Sequence, residues 1–76
     1  MKLVVSYDNS QVNKETMLEM ELETMLGDPD AMITGTEETQ LVFNFSDEPT
    51  ATKFQDYVNS LKKKHSIINK VEIVKN

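Results

Sequence analysis

The hydrophobic periodicity changes from segment to segment along this chain, and the order of the changes restricts the folds open to it. Alternating apolar and polar residues are typical of a half-buried strand, whereas apolar residues at every third or fourth position are typical of an amphipathic helix. The two patterns occur here in the order strand, helix, strand, strand, helix, strand. This order predicts an α+β fold of the ferredoxin-like βαββαβ type, with two helices on one face of a four-stranded antiparallel sheet.

The first strand and the first helix have clear limits in the sequence. Alternation over residues 1–7 predicts the strand, and the polar residues 8–10 offer N-caps for the helix. The helix is expected to end near residue 26, because Gly27 follows and Pro29 comes shortly afterwards. At about 100° per residue, one stripe of this helix is apolar and is predicted to be buried. The stripe comprises Leu18, Leu22, Met25 and Leu26.

The remaining sequence predicts a hairpin, a second helix and a last strand. The hairpin strands are expected over residues 31–36 and 39–46, with a short turn between them. The second helix is predicted to begin at Ser46 or Asp47, and the last strand to cover residues 68–75. Four strands of this topology usually have the spatial order 4-1-3-2. The buried face of the second helix is expected to comprise Ala51, Phe54, Val58 and Leu61.

Length and composition limit the class of protein. A chain of 76 residues is expected to form one domain over residues 1–76 and to bury only about 60% of its unfolded surface. The absence of cysteine excludes disulfides and thiolate metal sites. No segment approaches the roughly 20 apolar residues that cross a membrane, and residues 1–7 do not resemble a signal peptide. These features predict a cytoplasmic protein that does not contact a membrane.

Charge is unevenly distributed along the chain, whose net charge is −5. Residues 1–48 carry eleven acidic residues and two lysines, whereas residues 49–76 carry two acidic residues and six lysines. An acidic surface favours a protein partner with a basic surface, and methionine adapts to irregular partners. The alternative is that the methionines pack over the sheet edge and the acidic residues only confer solubility. The predicted acidic partner surface comprises Met17, Met20, Glu19, Glu21, Glu23, Asp28, Asp30, Asp47 and Glu48.

The sheet face that carries no helix is a second candidate surface. Val4, Val42 and Val74 are predicted to point away from the helices and to form a row across three adjacent strands. An apolar centre with a polar rim is typical of protein interfaces, so we expect self-association as a homodimer. The alternative is that valine simply suits exposed strand positions. The predicted rim comprises Lys2, Ser6, Gln40, Asn44 and Glu72.

Weak nucleic-acid binding is one alternative function, because lysines near the C-terminus can contact a phosphate backbone. Two features count against it: arginine is absent, and the net charge is negative. Phe43 and Phe45 share a face with Leu41, so they are predicted to point into the core and not to stack on bases. The candidate contacts are Lys62, Lys63, Lys64, Lys70 and Lys75.

A small-ligand or metal site is the other alternative. The predicted topology brings Asp8, Asn9, Glu38 and His65 to one end of the domain, where they are the groups available for chemistry. The opposite end is expected to collect carboxylates whose oxygens suit a hard cation. The simpler interpretation is that the acidic residues form caps and turns, and that His65 is solvated at a helix C-terminus. The carboxylates of the opposite end are Asp28, Asp30, Asp47 and Glu48.

The sequence contains no recognisable catalytic set and no glycine-rich loop that cradles phosphate. We therefore expect a protein that is not an enzyme and that uses no cofactor or metal. The predicted function is a protein-interaction module, a small acidic regulator or inhibitor that presents its acidic surface to a basic partner.

Overall fold

The computed structural model describes residues 1–75 and confirms the predicted α+β fold. Its elements are β1 (Lys2–Asp8), α1 (Val12–Leu26), β2 (Ala31–Thr34), β3 (Glu38–Asn44), α2 (Glu48–Ser60) and β4 (Ile68–Val74). The strands form one antiparallel sheet in the order β2-β3-β1-β4, which is the predicted 4-1-3-2 order. Consequently β1 and β3 are central, and β2 and β4 lie at the two edges.

Both helices pack on the same face of the sheet. On β1, alternation places Leu3, Val5 and Tyr7 beneath the helices, where they are almost completely buried. Leu18 and Leu22 of α1 are fully buried in the same apolar cluster. Burying such a leucine contributes about 1.5–3 kcal/mol to folding. The cluster is completed by Leu41, Phe43, Val58, Leu61, Ile67, Ile68 and Val71.

The phenylalanines of the β3 region contribute to this core, as predicted. Phe43 is buried within β3. Phe45 follows the strand and stacks on Phe54 of α2, with ring centroids 5.1 Å apart and ring planes 15° apart. The backbone N–H of Phe45 donates a 2.8 Å hydrogen bond to the carbonyl of Met1, which holds this segment against β1.

The helix α1 ends at Leu26 as predicted, but its first residue and its buried stripe differ from the prediction. The helix begins at Val12, because Asp8 closes a turn before it: an oxygen of its carboxylate accepts a 2.8 Å hydrogen bond from the backbone N–H of Ser10. Hydrogen bonding with the side chain of Ser10 is the main cause that lowers the pKa of Asp8, and the backbone hydrogen bond from Ser10 adds to it. Near the other end, Met25 belongs to the apolar stripe by its angle but is 47% exposed. The buried stripe of α1 is therefore shorter than predicted.

β4 contains an irregularity that the alternating pattern does not indicate. Ser6 pairs with Lys70, but the next residue of β1, Tyr7, pairs with Ile68, so Asn69 is an extra residue in β4. The bulge turns Ile68 into the core and Asn69 towards solvent. The side-chain amide of Asn69 then donates a 3.2 Å hydrogen bond to the carboxylate of Glu38.

Candidate functional site

The sheet face opposite the helices does not carry an exposed row of valines. Val4 and Val42 are direct cross-strand partners, but Val4 is only 8% exposed and Val42 only 9%. Val74 is exposed, yet it pairs with Lys2, whereas the partner of Val4 on β4 is Glu72. Both helices lie on the other face, so neighbouring side chains of the sheet must cover the two central valines. The predicted row is therefore a buried pair, with the third valine displaced along β4.

The rim of this face also differs in part from the prediction. Ser6 is buried between its neighbours on β3 and β4 and cannot contribute to a polar rim. Glu72 is half-buried, and its carboxylate lies 3.2 Å from Nζ of Lys70. Ile33 of β2, which the prediction did not include, is 56% exposed on this face. The remaining predicted rim residues lie on this face as expected: Lys2, Gln40 and Asn44.

The outer side of α1 exposes apolar side chains. Met17 and Met20 are both well exposed, so the alternative that they pack over the sheet edge is wrong. Val12, at the first position of the helix, is the most exposed large apolar residue among those that the structure describes. Exposed apolar groups of this kind are not needed to form the core and are typical of contact surfaces when they cluster.

Glu21 contacts the turn after α2 and is not free for a partner. Its Oε1 accepts a 2.8 Å hydrogen bond from Nζ of Lys64 and lies 3.1 Å from Nε2 of His65. The hydrogen bond from Lys64 is the main cause that lowers the pKa of Glu21, and the contact with His65 adds to it. His65 is buried, so the prediction of a solvated histidine is wrong. The chain turns at Leu61, whose carbonyl accepts a 2.7 Å hydrogen bond from the backbone N–H of His65. This turn brings the imidazole of His65 under α1, where it is buried.

A groove of about 320 Å³ separates α1 from β2. Its α1 side carries Glu15 and Glu19, and its β2 side carries Met32, which is 53% exposed, and Thr34. The groove exists because α1 covers β1 and β3 but leaves β2 uncovered: all four residues of β2 are exposed. Its remaining lining residues are Tyr7, Asn9, Val12, Thr16 and Thr39.

Acidic side chains line this groove and continue along α1. The Tyr7 hydroxyl donates a 2.6 Å hydrogen bond to Oε2 of Glu19. Burial is the main cause that raises the pKa of Tyr7, and the hydrogen bond to Glu19 together with the charges of Glu19 and Glu15 raises it further. No ion pair within residues 1–75 involves Glu15, Glu19 or Glu23. These glutamates follow one another at four-residue spacing and so form one row along the helix, which we call the α1 acidic row.

The other carboxylates of the predicted acidic surface lie apart from this row. Glu48 lies 3.4 Å from Nζ of Lys75. Asp30 accepts a hydrogen bond from the side-chain amide of Asn44, and Asp47 occupies the N-cap position of α2. Asp28 is exposed in the loop before β2. Within residues 1–75 no group of three acidic or histidine side chains converges in a way that suits a metal ion.

The loop residues considered for chemistry are assembled only in part. Asp8, Asn9 and Glu38 do lie at one end, where the backbone N–H of Asn9 donates to the Glu37 carbonyl at 3.1 Å. The Asn9 side-chain amide also donates to the carbonyl of Gly35 at 3.0 Å, which ties the first loop to the hairpin turn. His65 contacts Glu21 and not this cluster. The Asp8 carboxylate closes a turn within its own loop, and the hydrogen bonds of Asn9 join that loop to the hairpin turn.

The lysines proposed for nucleic-acid binding do not form one patch. Lys64, Lys70 and Lys75 each lie within 4 Å of a carboxylate, on Glu21, Glu72 and Glu48 respectively. Lys62 and Lys63 are exposed in the turn after α2. Carboxylates beside three of the five lysines oppose contact with a phosphate backbone.

The sequence does not predict the groove or two of the residues that define it. Val12 of α1 has no predicted role, and no pattern indicates that Met32 of β2 is exposed beside a helix. The four-residue spacing of Glu15, Glu19 and Glu23 is a signal that pointed to the row. No pattern indicated that β2 lies beyond the cover of α1, because that depends on how the helix crosses the sheet.

Compared with models of protein families, with curated proteins and with solved structures, the chain matches none of them. Among the described residues, neither helix is long and apolar enough to cross a membrane.

Proposed function

We propose that this protein is a non-catalytic interaction module that binds a basic protein partner through the acidic side of α1, and that it acts as a small regulator or inhibitor. The supporting observation is the difference between its carboxylates. Glu21, Glu48 and Glu72 each contact a lysine. Glu15 and Glu19 instead face an open groove, and no cation contacts them within residues 1–75.

The α1 acidic row lowers the stability of the free protein. Like charges four residues apart on a helix cost about 0.2–0.5 kcal/mol per pair. A surface selected only for stability would bring a lysine beside these glutamates, as Lys64 lies beside Glu21. When a basic partner binds, its positive charges offset the repulsion among the glutamates of the row and are attracted to them. This supports recognition as the role of the surface.

The groups best suited to chemistry support a binding role over catalysis. The only imidazole, that of His65, is buried against Glu21, and the carboxylate of Asp8 accepts a hydrogen bond within its own turn. Self-association through the open sheet face is not part of the proposal, because Val4 and Val42 are already buried within one chain. The cytoplasmic location stays a prediction from the sequence.

Affinity capture from the native lysate with charge-matched variants tests this function. The variant Glu15→Gln/Glu23→Gln removes two charges of the row and leaves the contact between Tyr7 and Glu19 intact. The control Asp56→Asn/Glu72→Gln removes two charges from α2 and β4. We expect the wild type and the control to capture the same basic protein at low salt, and the row variant to lose it.

Salt provides the second condition of the same experiment. Raising the ionic strength from about 0.01 M to about 1 M shortens the Debye length from about 30 Å to about 3 Å and should release the partner. Equal capture by all three proteins, or recovery of nucleic acid that requires Lys62 and Lys63, contradicts the proposal.

A further inference from the structure

We infer that the free edge of β2 is a strand-addition site, at which an extended segment of the partner pairs with the sheet and places basic side chains over the groove beside α1. The inference rests on the proposed function, because the charge of the groove selects the partner. Beyond the proposed function, the inference specifies the conformation of the bound segment and the pattern of its side chains.

The two edges of the sheet differ in how they are protected. β4 has a bulge at Asn69 and carries Lys70, and Lys75 follows its last residue. Bulges and lysines are the usual devices that prevent another strand from pairing with an edge. β2 has the sequence Ala-Met-Ile-Thr, without charge, proline or bulge, and all four residues are exposed. Its shortness limits an added strand to a few residues but does not block it.

The hairpin register shows which main-chain groups of β2 are available. The backbone N–H of Gly35 donates to the Glu38 carbonyl at 2.8 Å, which makes these two residues a hydrogen-bonded pair. Hydrogen-bonded and non-hydrogen-bonded pairs alternate along an antiparallel ladder, so Ile33 and Gln40 form the next hydrogen-bonded pair. The N–H and C=O groups of Met32 and Thr34 therefore point away from β3, towards the free edge.

The side chains beside this edge define two environments. Met32 and Thr34 point to the helix face and line the groove that contains Glu15 and Glu19. Ile33 points to the opposite face, where it is exposed. Successive side chains of an added strand also point to opposite faces. The segment that fits both environments alternates lysine or arginine over the groove with apolar residues beside Ile33.

Charge favours a basic partner segment over a second copy of this chain. The chain carries a net charge of −5, and the carboxylates of Asp30 and Glu37 flank β2 at its two ends. Pairing two β2 strands brings these like charges together, which costs free energy. A basic segment instead meets opposite charge along the whole edge.

A synthetic peptide of about eight residues with alternating lysine and valine, blocked at both ends, tests the inference by calorimetric titration of the full chain. In an antiparallel addition, the lysines lie opposite Met32 and Thr34, so their N–H groups face β2 and those of the valines face away. N-methylation of the lysines should weaken binding by about tenfold or more. N-methylation of the valines keeps the same charge and should change the affinity little.

Two further titrations define the contributions of charge and of the edge. A peptide with glutamate in place of lysine should not bind. In the protein, Met32→Pro removes an edge N–H that makes no hydrogen bond to β3, so it should abolish binding while the amide spectrum of the rest of the sheet is retained. If the proline variant unfolds, the comparison of the two methylated peptides still decides the question.

The outcomes separate the failure of this inference from the failure of the proposed function. Equal affinity of the two methylated peptides, with binding that still requires Glu15 and Glu19, overturns strand addition and leaves the acidic interaction surface in place. The absence of binding by every peptide also overturns strand addition, and the capture experiment then judges the function separately. If the free protein is a dimer and Met32→Pro dissociates it, a second copy of the chain occupies the edge of β2. That result overturns the basic partner as the occupant.

Discussion

The Tyr7 hydroxyl donates a 2.6 Å hydrogen bond to Oε2 of Glu19, which connects the central strand of the sheet to the acidic row on α1. The phenol is therefore both a core residue and part of the groove floor. Because the phenolate is disfavoured by burial and by the adjacent carboxylates, the pKa of Tyr7 is raised above its ordinary value of 10.0.

Alkaline pH should destabilise the fold through Tyr7. The unfolded chain releases the phenol proton near pH 10 and the folded chain retains it, so the stability from this group is complete below pH 10 and is lost as the pH rises above it. Tyr7→Phe should remove this part of the pH dependence. Urea unfolding between neutral pH and pH 11 measures it; Tyr57→Phe serves as a comparison and should remove a smaller part, because burial also raises the pKa of the half-buried Tyr57. The same steep loss above pH 10 in Tyr7→Phe would show that another group is responsible.

Acidic pH should destabilise the fold through protonation of Glu21. Its pKa is lowered in the folded chain from an ordinary value of 4.5, so its stabilising contribution is present above pH 4.5 and is lost as the pH falls below it. Glu21→Gln should unfold with a weaker dependence on pH in this range. Glu23→Gln removes the same charge from an exposed position of the same helix and should keep the pH dependence of the wild type in this range. Identical pH profiles for the two variants contradict the described contact with Lys64 and His65.

The core of α1 should be sensitive to truncation, whereas its outer side should not. Leu22 is fully buried, so Leu22→Ala should cost about 2–5 kcal/mol of unfolding free energy. A domain of this length has a total stability of about 4–11 kcal/mol, so the variant should be close to unfolding. Met20→Ala, on the exposed side, should stay within about 0.5 kcal/mol of the wild type. Similar losses in the two variants would contradict the orientation of α1.

Lysine substitutions on the open sheet face should have unequal effects. Val42 is buried by its neighbours, so Val42→Lys should cost about 1–3 kcal/mol, because it loses packing and must extend its ammonium group to water. Val74→Lys should cost less than about 0.5 kcal/mol, because Val74 is exposed. Denaturant unfolding measures both. A wild-type dimer in light scattering that both substitutions convert to a monomer would instead restore the interface predicted for this face.

The order of elements and the strand order could be predicted because each depends on short-range patterns and on the few permitted connections between them. Alternation along β1 and helical spacing at Leu18 and Leu22 follow directly from side-chain geometry. Exposure at Val4, Val42 and Met25 could not be predicted in the same way. It depends on which side chains or elements lie opposite each position, and a periodicity contains no information about these neighbours.

The candidate surface was predictable in its charge but not in its shape. The excess of acidic residues before residue 48 is a property of the composition, and the exposure of Met17 and Met20 follows from their helical angle. The pairing of Glu21 with His65 joins positions 44 residues apart. Such a contact depends on the turn after α2, for which the sequence offers only a run of lysines.

Amide hydrogen exchange, followed by NMR in the presence and absence of the alternating lysine–valine peptide, shows directly whether the peptide pairs with the edge of β2. We expect the amides of Met32 and Thr34 to exchange rapidly in the free protein and to become protected in the complex, and the amide of Ile33 to be protected in both. Protection that appears only on α2 or β4, or binding that leaves the amides of Met32 and Thr34 unprotected, would contradict strand addition at β2.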